Sequence, residues 1–271
     1  MNFYDILEQA LTTSDIALKE SLTQQLFEYC SKNLLISSEG FTPKVFEIPS
    51  YADRCEIVAP NALKARKDFD SNEGLATLIH AIVHIEYSAI DLALDAVYRF
   101  PQMSQAYKLD WLEVALDEIR HYKMLNALLD SLGFQYGDFP VHSGLFDAAN
   151  HTRTDLIERM AIIPRYYEAG GLDVNPQIVK KLDNKRKNPM VKTLIESLDI
   201  IYQEEIVHVQ KGDRWFKFIC QERNLETDIY FDILEKYKLS EKHRPHLNVD
   251  ARKKAGFSCG EIKKLADVPC S

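Results

Sequence analysis

Two Glu-x-x-His pairs, Glu118-Ile-Arg-His121 and Glu205-Ile-Val-His208, are the residues in this chain whose spacing most directly suggests chemistry. Residues three apart share a helix face, so each pair could offer one metal ion a carboxylate and an imidazole. Counting alone makes little of this. With 20 Glu and 8 His in 271 positions, about 0.6 such pairs arise by chance. Position says more. Leu75, Ile79, Ile82, Val83, Ala89, Ile90 and Ala93 recur at helical spacing with Glu86 in their middle. Trp111, Val114, Ala115, Leu125, Leu128 and Leu129 define a face that also holds Glu118 and His121. Glu158 falls beside Ala161 and Ile162, and Leu194, Leu198, Ile201, Tyr202 and Val209 surround Glu205 and His208.

Packing these stripes together would bury four carboxylates, and magnitudes decide what must accompany them. Two carboxylates ~4 Å apart repel by ~4 kcal/mol at an effective dielectric near 20. Four make six pairs, a cost above roughly 10 kcal/mol, against a domain stability of about 5–15 kcal/mol. Two divalent cations cancel the charge. The expected site is a two-metal centre with Glu86, Glu118, His121, Glu158, Glu205 and His208 as ligands. Glu and His donors accept iron, manganese or a mixed pair alike. Tyr202 lies one turn before Glu205 on the ligand face, where a packing role with a bonded hydroxyl is the common one. His80 and His84 are four apart, but His84 stands about 200° around the helix from Glu86. They read as structural or interface histidines, with a substrate pocket as the alternative.

The elements that must carry these residues are marked by breakers. Helices are expected over about 3 to 35, in one or two pieces, followed by an irregular, proline-bearing stretch from 36 to 60. Asp70 with Glu73 makes a capping-box-like start for a helix of about 71 to 100, which Pro101 ends. A second runs from about 104 to 132 and stops at Gly133. A third begins near Thr152, is interrupted by Pro164 and ends at Gly170-Gly171; a kink at Pro164 could open an access path. A fourth opens on Pro189 and continues at least to Gly212, with further helix from about 214 to 240 and one or two short helices in the tail. Four long helices side by side suggest an all-α four-helix bundle.

Composition narrows the partners. Ten Gly and ten Pro in 271 residues disfavour a turn-rich β fold, and no apolar run is expected to reach the ~18 residues of a membrane span. A net charge of −8 runs against a polyanion partner. Lys180, Lys181, Lys185, Arg186 and Lys187 read as a solvated loop or helix end. Five scattered cysteines without a CxxC, and no basic-apolar leader, suggest reduced thiols in the cytoplasm.

DEIRH (117 to 121) matches the Asp-Glu-x-Arg-His motif of ferritin-like carboxylate di-iron proteins, and EEIVH (204 to 208) resembles its second copy, with Val207 in place of Arg. HAIVHIEYSAIDLALDAVYRF (80 to 100) and ARKKAGFS in the tail resemble an uncharacterised bacterial branch of that superfamily, similar to a tRNA-modifying di-iron monooxygenase. The resemblance covers about residues 70 to 258. It implies one ferritin-like domain over 1–271, with a core bundle at about 70–222, an N-terminal helical extension at 1–60, and a C-terminal helix and tail at 223–271. It implies the same six ligands, with Asp117 and Glu204 accepting from the ligand imidazoles and Arg120 neutralising that outer layer. The implied function is an oxygen-activating oxidase or monooxygenase using dioxygen, an electron donor and a small-molecule substrate. The tRNA of the relative is disfavoured by the net charge. The alternative is iron or manganese handling, against which the extra N-terminal helices and long tail stand.

Overall fold

The computed structural model describes residues 2–32, 36–63, 69–239, 246–266 and 268–270. The expected helical stretch to 35 and the one to 240 therefore run at their ends outside the described residues. The protein is all-α; among the described residues the only β pairing is an isolated parallel bridge between Ile57 and Val141. The chain divides into two compact units, Met1–His151 and Thr152–Ser271.

In the first unit, α1 (Phe3–Thr12) opens on a capping box in which Asn2 and Asp5 exchange side-chain and backbone bonds. Asp15 caps α2 (Ile16–Ser31). The long helices are α3 (Asn72–Arg99) and α4 (Gln105–Ser131), packed along their length as a helical hairpin. The cap of α3 is Ser71, whose hydroxyl accepts from the Gly74 N–H, one residue beyond the expected Asp70. Gly133, at φ 83°, ends α4 as its left-handed stop. A short helix that the sequence did not suggest, α5 (Gly144–His151), completes the unit.

Contrary to expectation, α3 is long and apolar enough to cross a membrane by length and composition, because its single acids are spread thinly. Yet 83% of its most apolar window is buried, so packing consumes that surface. Lys19 of α2 is fully buried against it; its ammonium donates to the Ala10 carbonyl at 2.8 Å and pairs with Asp91 at 2.5 Å.

The second unit begins with α6 (Leu156–Ile162), which widens into a π-helical turn at Ile163–Glu168 and continues as α7 (Ala169–Leu182). Pro164 supplies no N–H to an α-helical ladder, and the ladder shifts register there. The expected stop at Gly170-Gly171 does not occur. Neither glycine adopts the left-handed conformation, and fully buried Ala169 and Leu172 fix the turn by packing. That packing overrides a propensity cost of about 1 kcal/mol per glycine. Helix α8 (Pro189–Glu222) runs past Gly212, where an added Cβ would lie 2.2 Å from the Pro164 Cβ, so the two backbones meet closely at this point.

Beyond α9 (Ile229–Lys236), the stretch expected as a tail forms α10 (Val249–Lys254) and α11 (Cys259–Leu265). It is firmly anchored: buried Arg252 forks onto Asp173 at 2.6 and 3.0 Å. The expectation of reduced thiols fails at Cys259 and Cys270, which form a disulfide with Cα atoms 5.5 Å apart. With it goes the cysteine argument for a reducing compartment. Cys30, Cys55 and Cys220 are free and buried.

Candidate metal centre

The first unit brings Glu86 of α3 together with Glu118 and His121 of α4. Their relative exposures are 5%, 1% and 0%, and each offers a ligand atom within 4.8 Å of the others. The hairpin explains this: Glu86 sits mid-helix on one apolar stripe, and the Glu-x-x-His pair sits mid-helix on the stripe facing it. His121 Nδ1 lies 3.2 Å from Glu86 Oε2 and 3.2 Å from Glu118 Oε2.

The electrostatics of this cluster test whether a cation fits. Burial pushes the His121 imidazolium down, but hydrogen bonds and charge from Glu118 and Glu86 outweigh it and hold its pKa up at about 11. Two buried carboxylates thus demand positive charge between them. A divalent ion held by the same oxygens and nitrogen supplies that charge, and a carboxylate–imidazole donor set suits Fe, Mn or Zn. The residues fit a metal ion; they do not specify which.

In the second unit, α8 repeats the local geometry. His208 is 1% exposed and its Nδ1 lies 3.5 Å from Glu205 Oε1. Glu158 of α6 is placed differently, with both oxygens engaged by α9 and its end. Oε1 accepts from the Lys236 ammonium, and Oε2 accepts from the Tyr237 hydroxyl at 2.6 Å. Burial pushes the Glu158 carboxyl up, but these two partners prevail and hold it below its ordinary value. Lys236 and Tyr237 were invisible to sequence reasoning, since they lie 78 and 79 residues from Glu158.

The remaining candidates have defined partners. Asp117 pairs with Arg120 at 2.9 Å on the partly exposed side of α4. Glu204 is half-buried on α8, and Val207 is 46% exposed. The Tyr202 hydroxyl accepts from Asn248 Nδ2 at 2.8 Å, tying α8 to the cap of α10. His84 faces the His142 carbonyl through Nε2 at 3.0 Å, so Nε2 is the donor and Nδ1 accepts from the Tyr136 hydroxyl at 2.9 Å. His80 Nε2 accepts from the Gly137 N–H at 3.0 Å. Both histidines thereby hold the segment that follows α4.

The fold and site define an all-α protein with a buried acid–histidine cluster that could hold a metal ion. Its family follows from comparison. The chain belongs to the family described as "Protein of unknown function (DUF455)", whose model matches residues 12–263. It is similar to an "Uncharacterized protein" of Haemophilus influenzae (strain ATCC 51907 / DSM 11121 / KW20 / Rd), 35% identical over 277 residues, covering 98% of this chain and 94% of that one. No solved structure matches it.

Proposed function

We propose that this chain is a ferritin-like di-metal protein that activates dioxygen as an oxidase or monooxygenase. Glu86, Glu118, His121, Glu158, Glu205 and His208 are its ligands in this reading, and two iron ions are its cofactor. The observation that supports it most is the buried Glu86–Glu118–His121 cluster, whose acids need a counter-charge. The second Glu-x-x-His pair supports a second ion.

Two bound ferrous ions would supply dioxygen with electrons for oxidising a small-molecule substrate. The chain's own contribution is charge balance and dryness. Four glutamates cancel two divalent ions, and fully buried Val83, Ile90, Ala115 and Leu125 keep water from the first unit's share of the site. Net charge −8 points to a small molecule in preference to tRNA as substrate.

The test is to load chelated protein anaerobically with two Fe(II) per chain, then add oxygen and follow iron oxidation and oxygen consumption. The expected end point is two Fe(III) per chain with no further accumulation. Continued uptake to tens of irons per chain would make the protein an iron store, and absence of any oxygen consumption would remove the oxygen-activating reading.

Glu158 makes its own prediction. As a ligand it must leave Lys236, and that partly exposed pair is worth about 1 kcal/mol. Lys236→Met is therefore expected to tighten binding of the more weakly held ion about fivefold in a chelator competition. Unchanged affinity would take Glu158 out of the ligand set.

A further inference from the structure

Within the second unit, the segment from Pro164 through α7 runs antiparallel to α8, and two contacts set their register. Pro164 meets Gly212, where an added Cβ would lie 2.2 Å from the Pro164 Cβ, and Asn175 Nδ2 donates to the Leu198 carbonyl at 3.1 Å. As the chain advances from 164 to 175, its neighbours on α8 therefore retreat from 212 to 198. Glu168, four residues beyond Pro164, falls level with Val207 and His208. It belongs to no Glu-x-x-His pair, so sequence spacing does not mark it.

Facing decides what it meets. His208 and Glu205 precede Gly212 by four and seven residues, so both lie on the stripe of α8 that touches Pro164. His208 is buried, whereas Val207 turns outward. On the other segment, four residues is close to one full turn at either α or π pitch, so Glu168 keeps to the side that touches α8. Glu168 closes the π-helical turn, a feature frequent at functional sites.

The Glu168 side chain is half-buried and its oxygen Oε2 is shut off from solvent. A carboxylate oxygen removed from water calls for compensating charge. Across from it stand the His208 imidazole and the Glu205 carboxylate, whose nearest atoms are 3.5 Å apart. Two acids and one imidazole on facing helices make a donor set that holds a divalent transition metal.

We infer that Glu168 is a metal ligand, contributed to the second ion beside Glu205 and His208. The inference rests on the di-metal reading and adds one residue to it. Glu158 stands ten residues earlier with Lys236 and Tyr237 on its oxygens, so a substitution at Glu168 leaves those contacts in place.

The chelated full chain would be titrated with Co(II), whose visible absorption reports its ligands. The unsubstituted chain should take two ions. Glu168→Gln keeps the side chain's shape and removes its charge. It should still take one ion and bind the other at least about tenfold more weakly, the loss seen when even an outer partner of a metal ligand is removed. Its cobalt bands should shift as well, which a structural role would not cause. Glu168→Asp keeps the charge and should recover part of the affinity; if the glutamine variant does not fold, the aspartate variant decides by the same affinity and spectrum. Binding of two ions by Glu168→Gln with unchanged affinity and bands, whether or not the chelated variant melts lower, would overturn the inference and leave the di-metal reading standing. An unsubstituted chain that takes no second ion would overturn both.

Discussion

Stripping the metal-loaded protein with a chelator at pH 7 is expected to lower its melting temperature by about 10 °C. A ligand bound only by the folded chain and present near a thousand times its Kd stabilises by about 4 kcal/mol. For a chain of this size each kcal/mol moves the midpoint by roughly 2–4 °C. The source of the loss lies in Glu86 and Glu118, which are almost wholly buried and share one imidazole between them. Elemental analysis of the untreated protein should give close to two Fe or Mn per chain. Glu118→Ala and His208→Ala should each lose at least one. Zinc held tightly at one per chain, or coincident melting of stripped and loaded protein, would contradict the di-metal reading.

The parts of the structure that were legible in the sequence are those governed by neighbours in the chain. Pro101, Gly133 and Pro189 punctuate α3, α4 and α8 because proline and glycine act on the backbone where they stand. The Glu86–Glu118–His121 cluster was legible because three-residue spacing and an apolar stripe both report a helix face. Gly170-Gly171 misled for the opposite reason: burial of Ala169 and Leu172 decides that turn, and burial is a tertiary fact. Pairs remote in sequence left no trace. Lys236 and Tyr237 reach Glu158 across nearly eighty residues, and Glu261 reaches Arg165 across 96. The Cys259–Cys270 disulfide lay in a stretch read as tail, where only the folding of α11 makes pairing geometry available.

Arg165→Leu is expected to destabilise the second unit by about 3–5 kcal/mol, the range for removing one partner of a buried charge pair. Arg165 is 0% exposed and its guanidinium lies 4.3, 4.4 and 4.6 Å from the ring centroids of Phe216, Tyr230 and Phe257. It pairs with Asp213 at 3.2 Å and with Glu261 of α11. Leucine would leave these two acids buried without it, although Asp213 keeps Lys217 at 2.7 Å and Glu261 keeps the Ser258 N–H at 2.8 Å. Arg165→Lys should recover only part, since a point charge loses both the fork and the stacking.

The effect should depend on pH in a definite direction. Burial pushes Glu261 up, but Arg165 outweighs it and holds the carboxyl below its ordinary value. A lowered folded pKa contributes stability that is fully present above about 4.5 and is lost as pH falls through the folded value. Asp213 goes the other way, raised by burial despite Arg165 and Lys217, so Glu261 is the group whose benefit the substitution removes. The penalty of Arg165→Leu, measured by denaturant unfolding, should therefore be largest near pH 7 and shrink toward pH 4 as both acids take up protons. Limited proteolysis at pH 7 should cut first beyond residue 248, where α10 and α11 lose the Glu261 anchor but keep Arg252 on Asp173. A penalty that stays flat from pH 7 to pH 4 would mean that Arg165 stabilises through its aromatic stacking and not through its carboxylates.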